Sequence, residues 1–125
     1  MGLSLLFIDD DENLLNGIGR ILKTEHRGVS FSFGSGADKA LDLLESKNFD
    51  AVITDYSMPG INGLELLALV KERHPSIKRV LLTGRPEEGI IREAEPIVDL
   101  YMSKPCDISE LVSRIEKMIS PRENI

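Results

Sequence analysis

Apolar residues fall along this chain in two alternating periods. The run from Leu3 to Ile8, apolar but for Ser4, ends at Asp9-Asp10-Asp11 and predicts a strand covered on both faces. Leu14, Leu15, Ile18, Ile21 and Leu22 then recur at helical spacing, so a first helix starts near the aspartates and ends before Gly28. Val29, Phe31 and Phe33 alternate with Ser30 and Ser32, the mark of a half-exposed strand at a sheet edge. Ala37, Ala40, Leu41 and Leu44 form the buried stripe of a second helix, which runs out near Ser46-Lys47-Asn48. A third strand, Ala51 to Asp55, breaks off before Pro59-Gly60. Asn62 and Glu65 cap a third helix from Gly63 to about His74, with Leu64, Leu67 and Val70 facing the sheet.

The second half repeats the alternation. Arg79 to Thr83 reads as a fourth strand, and Pro86 to Ala94 as a short fourth helix with only Ile90, Ile91 and Ala94 for a stripe. Ile97 to Met102 is the fifth strand, ending at Ser103-Lys104-Pro105. The last helix is capped by Asp107 and Glu110 and carries Ile108, Leu111, Val112, Ile115, Met118 and Ile119 on one face. Strands alternating with helices predict an α/β protein, a three-layer α/β/α sandwich on a parallel sheet joined by right-handed crossovers. With the alternating second strand at an edge, the expected arrangement is flavodoxin-like, a five-stranded parallel sheet in the order 2-1-3-4-5.

That topology gives the polar strand ends a meaning. Ligands of open α/β sheets bind beyond the carboxyl ends of the strands, where the winding direction switches. Asp9 and Asp10 follow strand one, Asp55 ends strand three, Thr83 ends strand four and Lys104 follows strand five. Clustered carboxylates repel unless a proton or cation relieves them, and an all-oxygen ligand set suits a hard ion, magnesium best. A carboxylate can attack phosphorus to form an acyl phosphate, and phosphoryl transfer needs mainly positioning and charge neutralisation. The residues therefore predict that Asp55 takes a phosphoryl group. Magnesium on Asp9 and Asp10 would neutralise it on one side and Lys104 on the other. The Thr83 hydroxyl would report its arrival, and Tyr101, on the same strand as Lys104, would turn inward or outward in response.

Composition narrows the class. At 125 residues the chain is expected to be one domain able to bury a core without staples. A net charge of -6 argues against direct nucleic-acid binding, which needs clustered Lys and Arg. The single cysteine, Cys106, excludes an internal disulfide framework. No apolar stretch is long enough to span a membrane and no basic region precedes the N-terminal apolar run, so neither anchor nor signal peptide is expected and the cytoplasm is the expected location.

Phe7-Ile-Asp9-Asp10, Asp55 with Met58-Pro59-Gly60, Thr83, and Tyr101-x-x-Lys104-Pro105 together resemble the receiver domain of two-component response regulators. Each motif is short, but all occur in order, at strand ends and at fitting separations. The resemblance covers residues 1–125 and implies a signalling switch rather than an enzyme. It implies that Asp55 is phosphorylated from the phosphohistidine of a sensor histidine kinase or phosphotransfer protein. Asp10, Asp55 and the backbone carbonyl of Ser57 would bind Mg2+ directly, with Asp9 helping through water. Gly84 would leave room for the phosphoryl group, and Ser57 and Arg85 would tune how fast the acyl phosphate hydrolyses. Helix four, strand five and helix five would form an output face on which a homodimer can assemble. Glu95-Pro96-Ile97 departs from the small Gly-Ala pair that often precedes the fifth strand in that family.

Taken singly, each feature has a plainer reading. The acidic run suits a helix N-terminus, Thr83 a strand-end turn, Lys104 a solvated surface and Tyr101 core packing. His26 and His74 lie at helix ends without partners at metal spacing, Cys106 reads as a small buried residue, and Gly34-Ser35-Gly36 as a turn. Two other functions remain open to these residues. An aspartate-nucleophile phosphatase would use Asp9 to attack and Asp11 as acid-base, with Thr83 and Lys104 assisting, but leaves Asp55 idle and has no cap insertion. A degenerate receiver would act only as an interaction module.

Overall fold

The computed structural model describes residues 2–84 and 88–119. Its elements alternate strictly: β1 Ser4–Ile8, α1 Glu12–Glu25, β2 Ser30–Gly34, α2 Ala37–Ser46, β3 Ala51–Asp55, α3 Gly63–Arg73, β4 Lys78–Thr83, α4 Glu88–Ala94, β5 Leu100–Ser103 and α5 Ile108–Ile119. All strand pairs are parallel and the sheet order is β2-β1-β3-β4-β5, the flavodoxin-like order expected from the pattern.

Successive side chains of a strand point to opposite faces, so each central strand feeds two cores. Leu5 and Phe7 of β1, Ala51 and Ile53 of β3, and Val80 and Leu82 of β4 pack with α1 and α5 through Leu15, Ile18, Leu22, Leu111, Val112 and Ile115. Leu6, Ile8, Val52 and Leu81 lie on the other face, against Ala40 and Leu44 of α2, Leu64, Leu67 and Val70 of α3, and Ala94 of α4. This double coverage explains why β1, β3 and β4 read as nearly unbroken apolar runs. β2 pairs only with β1, and its Phe31 and Phe33 are partly buried against the α1/α5 face, as an edge strand requires.

The helix ends follow local chemistry. The Asp11 carboxylate accepts from the backbone N–H of Asn13 and Leu14 and starts α1. Asn62 and Glu65 form the expected reciprocal capping box on α3. Asp107 accepts from the N–H of Ser109 and Glu110 at the start of α5. His26 and His74 are C-caps of α1 and α3, and the His26 Nε2 lies 2.9 Å from the Ser109 hydroxyl.

The structure moves the start of β5. Ile97 and Val98 do not begin β5; their N–H groups donate to the Ala94 carbonyl and complete the turn after α4, and the strand starts at Leu100. Arg79 holds that turn: it is 8% exposed, and its guanidinium donates to the carbonyls of Ile97 at 2.6 Å and Ile77 at 2.9 Å and lies 3.6 Å from the Asp99 carboxylate. The sequence pattern could not show this, because an apolar Ile-Val pair suits a turn docked on a core as well as a strand. Arg79→Ala removes the guanidinium donors from the Ile97 and Ile77 carbonyls, while the Asp99 carboxylate keeps the backbone N–H of residue 79 at 2.8 Å. The substitution is expected to cost about 2 kcal/mol in denaturant unfolding, the scale of buried acceptors left without their donors; a cost below about 0.5 kcal/mol would show that the network does not hold the turn.

Candidate functional site

Consecutive aspartates at the end of β1 have three fates. The Asp9 backbone N–H donates to the Gly34 carbonyl at 3.1 Å, which extends the sheet by one step and turns the Asp9 side chain inward, where it is 5% exposed. Its Oδ1 accepts from the Asp11 N–H at 2.9 Å, and Asp11 is committed to capping α1. Asp10, between them, is exposed at the rim.

On β3, Asp55 is the last paired residue, opposite Leu82 of β4. The chain leaves the sheet through the Tyr56 N–H, which donates to the Leu82 carbonyl at 2.9 Å. The turn closes through Gly60 at φ 83, a left-handed conformation that a side chain would disfavour. β4 ends on Thr83, buried at 5% exposure, whose carbonyl accepts from the Lys104 N–H at 2.8 Å. Lys104 follows β5 and precedes Pro105 across a cis peptide bond.

These ends converge. Carboxylate oxygens of Asp9, Asp10 and Asp55 all lie within 4.8 Å of one another. The Lys104 ammonium bridges two of them, 3.1 Å from Asp9 Oδ2 and 3.2 Å from Asp55 Oδ1. An open cleft of about 480 Å³ beside them is lined by Asp55, Tyr56, Ser57, Thr83, Gly84, Ile90 and Lys104. Among the described residues a Cβ on Gly84 would meet nothing within 4 Å. Arg85 lies outside the described residues.

Burial pushes the Asp55 carboxyl above its ordinary value; Lys104 opposes this and the Asp9 charge adds to it. Burial alone would lower the Lys104 ammonium, but the hydrogen bonds and charges of Asp9 and Asp55 outweigh it and the net shift is upward. Lys104 therefore stays charged, while Asp55 carries its charge at a cost that a further cation would relieve. An all-oxygen set of three carboxylates fits a hard divalent ion such as magnesium, and the exposed Asp10 leaves that side of the set open to water.

Tyr101, opposite Leu81 in the sheet, packs its ring among the residues of the α2/α3/α4 face. Its hydroxyl is buried and has no hydrogen-bond partner among the described residues. Cys106 is only half-buried, beside the Asp107 and Glu110 that, after burial itself, help hold its thiol above the ordinary value. Every charged residue of this cluster is legible in the sequence, but the direct Lys104 bridge between Asp9 and Asp55 is not, nor are Tyr56 and Ile90 in the cleft wall. Side chains 95 positions apart carry no shared local signal.

A family model for the response regulator receiver domain matches residues 5–116. The chemotaxis protein CheY of Pseudomonas aeruginosa is 33% identical over 122 residues, covering 93% of this chain and 95% of that protein. The transcriptional regulatory protein YesN of Bacillus subtilis is 32% identical over 118 residues, and the chain spans 32% of its length. For the DNA-binding transcriptional regulator NtrC of Escherichia coli the identity is 32% over 114 residues, and the span is 24%. Among solved structures, the signal receiver domain of an HD domain-containing protein from Pseudomonas fluorescens superposes with a TM-score of 0.88 at 29% identity, covering 100% of both chains. The response regulator TrrA of Thermotoga maritima, in complex with Mg2+-BeF, gives 0.81 at 26% identity, covering 94% of this chain and 99% of that one. The sheet order, the cluster of strand-end carboxylates and the match along nearly the whole length place this chain in the response regulator receiver domain family, the phosphoacceptor switches of two-component signalling.

Proposed function

We propose that Asp55 is the phosphoacceptor of this receiver and that residues 1–125 act as one switch domain. The observation that carries the assignment is the bridging of Asp9 and Asp55 by Lys104, at 3.1 and 3.2 Å, with Asp10 in the same cluster. Receiver domains take their phosphoryl group from histidine kinases or phosphotransfer proteins. Here an Asp55 carboxylate oxygen attacks the phosphorus of the partner's phosphohistidine: the O–P bond forms, the N–P bond breaks, and the imidazole leaves with the electron pair and takes up a proton. Hydrolysis of the acyl phosphate by water returns Asp55 and releases inorganic phosphate.

Asp10, Asp55 and the Ser57 carbonyl would hold magnesium, with Asp9 assisting, and the ion would supply charge neutralisation for the phosphoryl oxygens. TrrA, bound to Mg2+-BeF, supports this reading of the carboxylates. Lys104 then releases Asp55 and meets the phosphoryl group, still anchored by Asp9. Thr83, on the cleft wall, offers its hydroxyl to the phosphoryl group, and Tyr101 moves with it. Ser57 and Arg85 set the lifetime of the acyl phosphate. Gly84 keeps the mouth clear. The output face is α4, β5 and α5, where the 45% exposed Ile91 offers apolar surface to a second copy. The setting is the cytoplasm.

Treatment with a small acyl phosphate and magnesium, followed by mapping of the label, tests the assignment. Label on Asp55 supports it. Label on Asp9 would favour a phosphatase, although Asp11 is committed to capping α1, and no label would leave an interaction module. Coupling is tested by Thr83→Ala, which is expected to keep labelling while tyrosine fluorescence loses most of its response to phosphorylation. An undiminished response would remove Thr83 from the relay.

A further inference from the structure

The Asp55 backbone is confined from a side that the reaction does not use. A Cβ built on Gly63, the first residue of α3, would lie 2.1 Å from the Asp55 carbonyl oxygen, 2.9 Å from its carbon and 3.1 Å from Thr54 Cγ2. The helix therefore begins in direct contact with the phosphoacceptor's own peptide group. Two hydrogen bonds complete the enclosure. The Gly63 N–H donates to the Tyr56 carbonyl at 2.8 Å, and the Thr54 hydroxyl donates to the Asp55 carbonyl at 3.0 Å. On the remaining side the Tyr56 N–H is held by Leu82 of β4. Thr54 itself is fully buried, and its hydroxyl also reaches Met58 Sδ at 3.7 Å, so it ties the carbonyl to the loop that follows.

We propose that Gly63 and Thr54 are positioning residues for phosphoryl transfer, setting the Asp55 carboxylate and the Tyr56-Ser57 backbone through the Asp55 and Tyr56 peptide groups. The inference rests on Asp55 being the phosphoacceptor. Displacement of a reacting group by about 1 Å costs on the order of a hundredfold in rate. A Cβ at Gly63 forces a shift of that size, because its neighbour is backbone and cannot rotate away. Neither residue touches the donor, so donor recognition is unaffected while reactivity and metal affinity change.

The test measures phosphorylation by a small acyl phosphate, whose carboxylate leaves as the Asp55–phosphorus bond forms, together with magnesium affinity of the unphosphorylated protein by calorimetry. Gly63→Ala is expected to slow the step at saturating donor about ten- to a hundredfold, with the half-saturating donor concentration unchanged and magnesium binding weakened. Thr54→Val, which keeps the side-chain volume but removes the donor, is expected to slow it about two- to tenfold, the worth of one hydrogen bond, and Thr54→Ser to restore it. Val70→Ala, a truncation in the buried far half of α3, controls for lost stability and should phosphorylate at the parental rate where it is folded. Parental rates in Gly63→Ala or Thr54→Val, no rescue by Thr54→Ser, or equal slowing in Val70→Ala would each overturn the proposal. If Gly63→Ala does not fold, the Thr54 pair decides. Label that persists in Asp55→Asn would instead strike the phosphoacceptor assignment, and the inference with it.

Discussion

Replacing Asp55 by Asn is expected to abolish phosphoryl labelling completely and, without magnesium at neutral pH, to raise stability. Loss of labelling follows because an amide cannot form the acyl phosphate. The stability gain is the less obvious half. Burial raises the Asp55 carboxyl above its ordinary value, with Asp9 adding and Lys104 opposing, so the folded protein binds the Asp55 proton more tightly than the unfolded chain. Stability from this group is fully present below the unfolded value of about 3.8 and is lost as pH rises through the folded value. At pH 7 the parent carries the cost of a charged, partly desolvated Asp55, and Asn does not. Urea melts of both proteins from pH 3.5 to 7 would show the parent falling relative to the variant as pH rises. Parallel curves, or a variant less stable at pH 7, would mean that the Lys104 bridge outweighs desolvation and repulsion.

The second large effect concerns the cation. Asp10→Ala removes one of three clustered carboxylates, and the exposed one at that, so little folding energy is lost while magnesium affinity is expected to fall about tenfold or more. In the parent, magnesium at about ten times its Kd stabilises the native state by about 1.4 kcal/mol, a few degrees in Tm for a domain of this size. With a tenfold weaker Kd the same concentration stabilises Asp10→Ala by only about 0.4 kcal/mol, less than a third of the parental rise. Calorimetric titration gives affinity directly, and an unchanged Kd would remove Asp10 from the ligand set. The two experiments are complementary: Asp55→Asn relieves the carboxylate repulsion by removing a charge, magnesium by adding one, so magnesium should stabilise the parent more than Asp55→Asn.

Legibility differed sharply between elements. Leu5-Leu6-Phe7-Ile8 and Val52-Ile53 are apolar on both faces, and only a central strand of a doubly covered sheet accommodates that, so β1 and β3 were plain. Asn62 with Glu65 was equally plain, because a capping box is a local reciprocal bond between residues three apart. The start of β5 was not: Ile97 and Val98 look like strand but are drawn into the turn after α4 by Arg79, eighteen positions from Ile97. In the sequence Gly63 marks only a helix start, since nothing local reveals that its missing Cβ would collide with Asp55.

By itself the sequence determined which polar residues stand at the strand ends and to which end of the sheet they go. Apolar period and strand-end polarity are local properties that survive without coordinates, and a parallel sheet has one carboxyl end. Tertiary structure alone decided how those residues divide the work. Asp9 turns inward to meet Lys104, Asp10 remains at the rim and Asp11 caps a helix, although all three are the same side chain in a row. That division depends on Gly34, Lys104 and the backbone of α1, whose positions relative to β1 are set by the packing of two cores rather than by any neighbour in the chain.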